Sequence, residues 1–546
     1  MFKQTALTSL DSYKLGHADQ YPDLMEKVYS NFTPRSDKHL NIPREYKDGT
    51  IVWAGSGAFI AELDSIWNDT FFTEPWEDVE AEASIYLPFC GPNGFNMQRL
   101  FELHSLGYLP LEIKALPEGS SVPIGVPVLT ITNTKPEFYW LPNFLETWLS
   151  SELWKMSTSA TISRVYRRIL EKFSKITGGN KDFIAWQGHD FSIRGMSGIA
   201  DAAKSGTGHL LFFTGTDNIP AVKLINDVYR GQETFVGGSV PATEHSVMCA
   251  GGMESELDTF RRLIQKYPSG VLSIVSDTWD FWKVISVMAK ELKPEIEARI
   301  ADSFGLSKVV FRPDSGDPVK ILCGYKVFDL DNAAEKVLDY ELEEDGYEVV
   351  KTEGRYWTIK YVYDYDGCAG NYEFIKEISE AEAKGAVEVL WDTFGGTFTM
   401  EGYKTVSQKV GLIYGDSITP RRCERILEEL SAKGFASDNV VFGIGSYTFQ
   451  YQTRDTLGFA MKATYVEIAG EGKAIFKDPK TDDGVKKSAK GLLAVGKNWD
   501  SGKYELFANV TKGEEINGCL EPIFYNGVMT PVESFSDIRN RALSSI

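Results

Sequence analysis

Lys308-Val309-Val310-Phe311-Arg312-Pro313-Asp314-Ser315-Gly316 sets a short apolar run against a cation, a proline, a carboxylate, a hydroxyl and a glycine. At the catalytic end of a parallel strand, this set binds anionic, hydroxylated ligands. A guanidinium presents a planar fork to phosphate or carbonyl oxygens. The carboxylate suits a sugar hydroxyl or a metal, and glycine lets a ligand approach the backbone. A strand, a proline turn and a surface ion pair would read the same way in isolation, so the neighbours decide.

The neighbours repeat the arrangement. Apolar runs at 183–186, 210–213, 234–236, 271–275, 410–414 and 440–442 stop in turn at Gly188-His189-Asp190, Gly215-Thr216-Asp217, Gly237-Gly238-Ser239, Ser276-Asp277, Gly415-Asp416-Ser417 and Gly443-Ile444-Gly445-Ser446. These ends and the loops after them supply Arg194, Arg312 and Arg454, the carboxylates Asp190, Asp217, Asp277, Asp314 and Asp416, and the histidines His189 and His245. Glycine turns before helices offer backbone N–H groups to phosphate. Phosphate binders beside several carboxylates suit a phosphorylated sugar, with Mg2+ held partly through the substrate. Taken singly, His189 also reads as a loop cap and Asp217 as a helix cap. Other chemistries lack their signatures. Gly443-Ile444-Gly445 has Thr448 where a dinucleotide fingerprint needs its third glycine, and no Walker A, G-x-S-x-G or H-E-x-x-H pattern occurs.

Most of these runs are separated by helix-sized stretches, such as 259–267 and 421–433, so the expected fold class is α/β. Polar groups at nearly every strand end favour a closed (β/α) barrel over an open sheet with one switch point. The interval from Phe311 to Tyr414 is too long for one crossover helix. Within it, 347–351 and 356–362 read as a hairpin about Glu353-Gly354, in an acidic β-rich insertion at about 325–400 that reads as surface decoration. Proline-punctuated strands at 29–33, 111–116 and 122–129 make the first part β-rich. Asp11 or Ser12 is placed to cap a short helix, and 143–173 reads as helix. Alternation returns at 460–467, before a strand-like 474–476 and a basic patch of Lys486, Lys487 and Lys490. The expected units are 1–150 with 456–546, and 151–455 carrying the insertion.

Composition narrows the function classes. With 43% hydrophobic and 25% charged residues, the chain is ordinary for a globular protein. A net charge of −20 argues against nucleic acid or an anionic membrane as partner, while leaving room for a local cationic pocket. The six cysteines show no C-x-x-C spacing, so free thiols in a reducing cytoplasm are expected. Neither a secretory h-region nor an apolar run of the roughly 20 residues that span a bilayer is seen.

Beyond these readings, Asp11-Ser12-Tyr13-Lys14, His189-Asp190-Phe191 with Arg194-Gly195, Gly215-Thr216-Asp217, Val240-Pro241-Ala242-Thr243-Glu244-His245-Ser246, Ser273-Ile274-Val275-Ser276-Asp277, Arg312-Pro313-Asp314-Ser315-Gly316, Gly415-Asp416, Thr453-Arg454-Asp455 and Phe476-Lys477-Asp478-Pro479 occur in one order along nearly the whole chain. In these the chain resembles the nicotinamide phosphoribosyltransferases, of the type II phosphoribosyltransferase family. The resemblance implies an irregular α/β barrel beside a second β-rich domain built from both chain ends, and a homodimer with active sites at the interface. It implies transfer of phosphoribosyl from phosphoribosyl pyrophosphate to nicotinamide, with Mg2+, giving nicotinamide mononucleotide and pyrophosphate. By the same resemblance Phe191 and a partner-subunit copy of Tyr13 would sandwich the pyridine ring, and Asp217 would accept from the carboxamide. Arg194 and Arg312 would line the base and phosphate site, Asp314 the ribose, and Ser273 the substrate pocket. Gly415, Asp416, Gly445 and Arg454 would hold the 5′-phosphate end, and Arg35, Lys462 and Lys477 the pyrophosphate. His245 would be the phosphorylated histidine that couples ATP hydrolysis to synthesis.

Three departures stand out. Ser446 sits where animal members carry glycine, Ser192-Ile193 replaces a Gly-Tyr pair, and the 325–400 excursion is longer. Two rival readings fit the same scaffold. A nicotinate phosphoribosyltransferase would not want a carboxylate at 217. A non-catalytic ligand-binding or signalling protein on the same scaffold would form no product.

Overall fold

The computed structural model of the protein describes residues 4–86, 89, 96–233, 235–333, 339–363, 370–415, 417–480 and 488–546. Asp416, Lys486, Lys487, Thr234, Cys90 and Cys368 lie outside the described residues.

The organising layer is a six-stranded parallel sheet. Its order is Gly215–Thr216, Gly188–Asp190, Val440–Ile444, Val410–Tyr414, Val309–Arg312 and Leu272–Val275. Leu272–Val275 is buried throughout, and Val309, Val310 and Phe311 are buried too. Such strands read as continuous apolar runs because a parallel sheet is covered on both faces. The two edges are then joined by one irregular segment. Gly238 donates to Thr214 O (2.8 Å) and its carbonyl accepts from Thr216 N (3.0 Å). A few residues on, Pro241 O accepts from Ser273 N (2.9 Å), and Thr243 N donates to Ser273 O (3.0 Å). Bonded to both edge strands, residues 238–243 close the sheet into an irregular barrel. Every strand therefore delivers its C-terminal end to the same rim.

Helices cover the outside through regular stripes. Glu256–Lys266 buries Phe260, Leu263 and Ile264, and Pro420–Ala432 buries Cys423, Ile426, Leu427 and Leu430. These positions fall on one helical face. Pro420 at the first position and a bond from Arg422 N to Thr419 Oγ1 fix the start of the second helix.

One buried carboxyl carries a stability prediction. Glu256 is 2% exposed, and its Oε1 has no partner among the described residues. Burial raises its pKa to about 7, with Asp280 adding to the rise and Lys283 opposing it. The folded state thus keeps a proton that the unfolded chain releases near the ordinary carboxyl value, so stability falls as pH rises through the window up to about 7. Glu256→Gln is expected to remove that loss, adding about 1–3 kcal/mol at pH 8 and little at pH 4. Urea unfolding at both pH values checks this. Equal effects at the two would contradict it.

A second, seven-stranded antiparallel sheet runs Glu471–Ala474, Ala460–Ile468, Met25–Thr33, Leu129–Asn133, Leu111–Ala115, Glu521–Tyr525 and Val528–Met529. Its centre pairs an early strand with a late one, Asn31 opposite Lys462. The excursion forms its own four-stranded sheet of Val327–Asp329, Val349–Thr352, Arg355–Tyr363 and Gly370–Ile378. Its hairpin turns at Glu353-Gly354 as expected, both with positive φ (52° and 71°), the pairing that matches strand twist in a two-residue loop. Asp331 accepts from both turn amides (2.7 and 2.9 Å).

Several local expectations are corrected. Ile184–Gln187 is a helix and the strand is the next segment, Gly188–Asp190. Residues 210–213 end the helix Ile199–Leu210 and turn, leaving only Gly215–Thr216 in the sheet. A short buried apolar run serves either state, and periodicity cannot separate them. Residues 235–237 form no strand; the edge contact comes at Gly238. The helix expected over 143–173 is three, Leu141–Phe144, Glu146–Glu152 and Trp154–Thr177. Asp11 precedes the 3-10 helix Ser12–Gln20 without a side-chain cap bond; its carboxylate accepts from Thr147 Oγ1 at 2.8 Å instead. The strand expected at 474–476 lies earlier, at Glu471–Ala474.

Candidate active site

At the barrel rim, Phe191 follows the Gly188–Asp190 strand, and its N–H donates to Ile444 O (3.0 Å). Gly443 is glycine because of this packing. A Cβ there would lie 2.7 Å from Phe191 Cδ2 and 2.8 Å from Tyr414 O. The His189 ring sits 4.6 Å from the Phe191 ring, and the Arg312 guanidinium lies 5.9 Å from the same ring's centroid. An aromatic face with a cation beside it suits a flat ring carrying a carbonyl.

Asp217 occupies the next strand end. Its Oδ1 is 3.0 Å from His189 Nε2 and accepts from Ser239 Oγ. Burial pushes its carboxyl up, but the His189 bond and charge, the Ser239 bond and Arg312 outweigh that and hold it below the ordinary range. It is an ionised acceptor, its side chain 38% exposed at the rim. Arg312 lies across from it. Its guanidinium donates to Thr243 O, and its Nε is buried without a partner among the described residues. Burial lowers its pKa, Asp314, Asp217 and Asp277 oppose that, and Arg194 adds to it.

The third group gathers on neighbouring strand ends. Asp277 Oδ2 accepts from Asp314 N (2.9 Å) and Ser315 Oγ (2.6 Å), while its Oδ1 is buried without a partner among the described residues. His245 Nε2 is 3.3 Å from Asp314 Oδ1, and its Nδ1 is 3.3 Å from Thr278 Oγ1. Ligand atoms of His245, Asp277 and Asp314 lie within 4.8 Å of one another. Burial, and then the like charge of Asp277, raises the Asp314 pKa; His245 works the other way. This corner would gain from a positive charge.

A fourth group is cationic. Lys462, on the antiparallel sheet, has its pKa lowered by burial; Arg35, Lys477 and Arg454 press it down further and Glu146 counters. Arg35 Nε donates to Gly458 O (3.0 Å), and Arg454 pairs with Asp455 at 3.5 Å. Arg454 opens a 3-10 turn held by a reciprocal Thr453–Thr456 cap, in the loop after Gly445. Like charges drawn together in an acidic protein mark an anion site.

The expected residues are thus not all brought together within one chain. Phe191, Asp217, Arg312, Asp314 and His245 share the rim. Gly415 lies beside them, its N–H donating to Pro313 O (3.2 Å). Arg194 is close enough to act on Arg312 but is exposed. Ser273 is 5% exposed and its backbone joins the closing segment. Among the described residues, nothing would crowd a Cβ on Gly445. Tyr13 is apart: 57% exposed, its ring rests 5.2 Å from His17. Asp190 is structural, buried, and accepts from Ser192 N (2.9 Å) and Asn218 Nδ2 (3.1 Å). Sequence reasoning gave Ser239, Thr278 and the Thr243 carbonyl no role. Ser239 had a signal, as the first hydroxyl after a glycine pair; the other two had none.

The profile of the nicotinate phosphoribosyltransferase (NAPRTase) family matches residues 186–512. A protein of Acinetobacter baylyi named nicotinamide phosphoribosyltransferase is 47% identical over 543 residues, 99% of this chain and 97% of its own. One of the same name from Mycoplasma pneumoniae is 31% identical, covering 87% of this chain and 92% of its own. A crystal structure of nicotinate-nucleotide pyrophosphorylase from Pyrococcus furiosus superposes with a TM-score of 0.51 at 16% identity, over 99% of this chain and 95% of that one; it speaks for the fold. With barrel, rim and family profile in agreement, the chain belongs to the nicotinate phosphoribosyltransferase family and is a phosphoribosyltransferase.

Proposed function

We propose that the protein transfers phosphoribosyl from phosphoribosyl pyrophosphate to nicotinamide, forming nicotinamide mononucleotide and pyrophosphate for NAD salvage. The observation that carries the choice of acceptor is Asp217, an ionised carboxylate 3.0 Å from the His189 ring that packs on Phe191. It accepts from the amide N–H2 of nicotinamide and repels the carboxylate of nicotinate. The names of the two relatives support the same acceptor.

In this reading the pyridine ring lies on Phe191, and Arg312 and Arg194 meet the carbonyl and phosphate oxygens. Asp314 takes a ribose hydroxyl. Gly415, Gly445 and Arg454, with Asp416, hold the 5′-phosphate end, and Ser273 backs the pocket. Arg35, Lys462 and Lys477 hold pyrophosphate. The C1′–O bond to pyrophosphate breaks, the ring nitrogen bonds to C1′, and positive charge develops on the sugar between. No protein nucleophile is required. The chain's work is to position the nitrogen and stabilise the departing anion. Mg2+ would neutralise the phosphates. Asp277, whose Oδ1 has no partner among the described residues, and Asp314 are the hard oxygen ligands that suit it, the phosphates supplying others. His245, half-exposed and against Asp314, is the proposed acceptor of a phosphoryl group from ATP. The free thiols of Cys249, Cys323, Cys423 and Cys519 suit a cytoplasmic enzyme. No helix among the described residues is long and apolar enough to cross a membrane.

Incubating the protein with nicotinamide, phosphoribosyl pyrophosphate and Mg2+ is expected to yield nicotinamide mononucleotide, and adding ATP to label His245 with acid-labile phosphate. No product would overturn the reading; product without label would remove only the ATP step. Exposed Tyr13 fits a homodimer in which Tyr13 of the partner subunit covers the ring. Tyr13→Ala and Phe191→Ala are each expected to be nearly inactive. Mixed after subunit exchange they should regain about a quarter of wild-type activity, because half the dimers are mixed and each has one intact site. No recovery would contradict shared sites.

A further inference from the structure

The Asp217 carboxylate is not simply exposed to a ligand; two side chains hold one of its oxygens. His189 Nε2 lies 3.0 Å from Oδ1, and Ser239 Oγ donates to the same atom. We infer that His189 and Ser239 are positioning residues that occupy one oxygen of Asp217 and so reserve the other for the acceptor's amide, setting the preference for an amide over an acid. The inference rests on the acceptor reading above.

The surroundings make this a built arrangement. Backbone bonds from Asp217 N to Asp190 O (3.0 Å) and from Ile219 N to Asp217 O (3.1 Å) fix the main chain on both sides. The carboxylate can then turn only about its own side-chain torsions, and two donors on Oδ1 stop that turning. His189 is 9% exposed and held from two directions. Phe191 packs on one side, and Gly215 on the other leaves so little room that a Cβ would come 2.8 Å from Nδ1. Ser239 comes from the segment that closes the barrel, so the acceptor's polar end is read where the two edge strands meet. A carboxylate free to turn would offer either oxygen, or neither well aimed, and alignment governs hydrogen-bond strength.

The test uses the full chain with saturating phosphoribosyl pyrophosphate. It compares kcat and KM for nicotinamide and for nicotinate in wild type, His189→Ala, His189→Gln and Ser239→Ala. His189→Ala is expected to raise KM for nicotinamide about tenfold, with kcat changed less, and to lower the nicotinamide-to-nicotinate ratio of kcat/KM by a similar factor. His189→Gln keeps an N–H donor at similar reach and should regain most of the ratio. Ser239→Ala, at an exposed position where folding is not at stake, should lower the ratio several-fold. The inference is overturned if His189→Ala and Ser239→Ala slow both acceptors in the same proportion, or if Gln rescues no better than Ala. A wild type that forms no nicotinamide mononucleotide overturns the functional reading and this inference together. A wild type that forms it, with variants that keep its acceptor ratio, overturns this inference alone.

Discussion

Asp217→Ser is expected to lower kcat/KM for nicotinamide by about 10–100-fold and to leave nicotinate equal or better as acceptor. The size follows from the kind of bond lost. A hydrogen bond to a charged group is worth about 1.5–3 kcal/mol, roughly 10–100-fold. Serine retains a hydroxyl but removes the negative charge. Nicotinate then no longer meets a like charge held at short range by His189 and Ser239. Steady-state kinetics with each acceptor decide the point, and an unchanged preference would remove Asp217 from acceptor recognition.

Arg312→Ala is expected to cost more, about 100–1000-fold in kcat/KM, with no acceptor spared. This guanidinium is partly buried, lies over Phe191, and has a buried Nε with no partner among the described residues. Its removal takes away a preorganised donor where charge develops. It also takes from Asp217, Asp277 and Asp314 the cation whose charge acts on each of them. Arg312→Lys is expected to recover little, since an ammonium does not reproduce the planar fork. Near-wild-type kinetics in the lysine variant would contradict a bidentate role. Circular dichroism on both proteins separates a kinetic loss from an unfolded chain.

The position of Arg312 at a strand end was legible in the sequence for one reason. A buried parallel strand must be apolar, so Val309-Val310-Phe311 gives itself away, and whatever polar set follows it stands at the rim. The same logic reached Asp277, Asp314 and Gly415. It misread 183–186 and 210–213, where apolar runs lie in a helix and at a helix end, and the strands are the short polar segments beyond. Two-residue and three-residue strands carry no periodicity to detect. Asp190 was legible as a strand-end carboxylate but not as a buried one, because its partners Ser192 N and Asn218 come from two loops. The closure of the barrel through residues 238–243 was hidden for a related cause. Its bonds are backbone bonds made by an irregular segment, and no side-chain pattern announces them. The hairpin at Glu353-Gly354 was the opposite case, a local turn whose geometry two residues suffice to determine.

The proposed preference for nicotinamide depends on an ionised Asp217, bonded to the His189 ring that packs on Phe191. A single-pot competition tests it most directly. Equal concentrations of nicotinamide and nicotinate, with limiting phosphoribosyl pyrophosphate and Mg2+, are given to the wild-type protein and the two mononucleotides are separated by charge. The account predicts that nicotinamide mononucleotide dominates by at least about tenfold, and that Asp217→Ser erases the excess. Nicotinate mononucleotide as the main wild-type product, or an excess that survives Asp217→Ser, would contradict it.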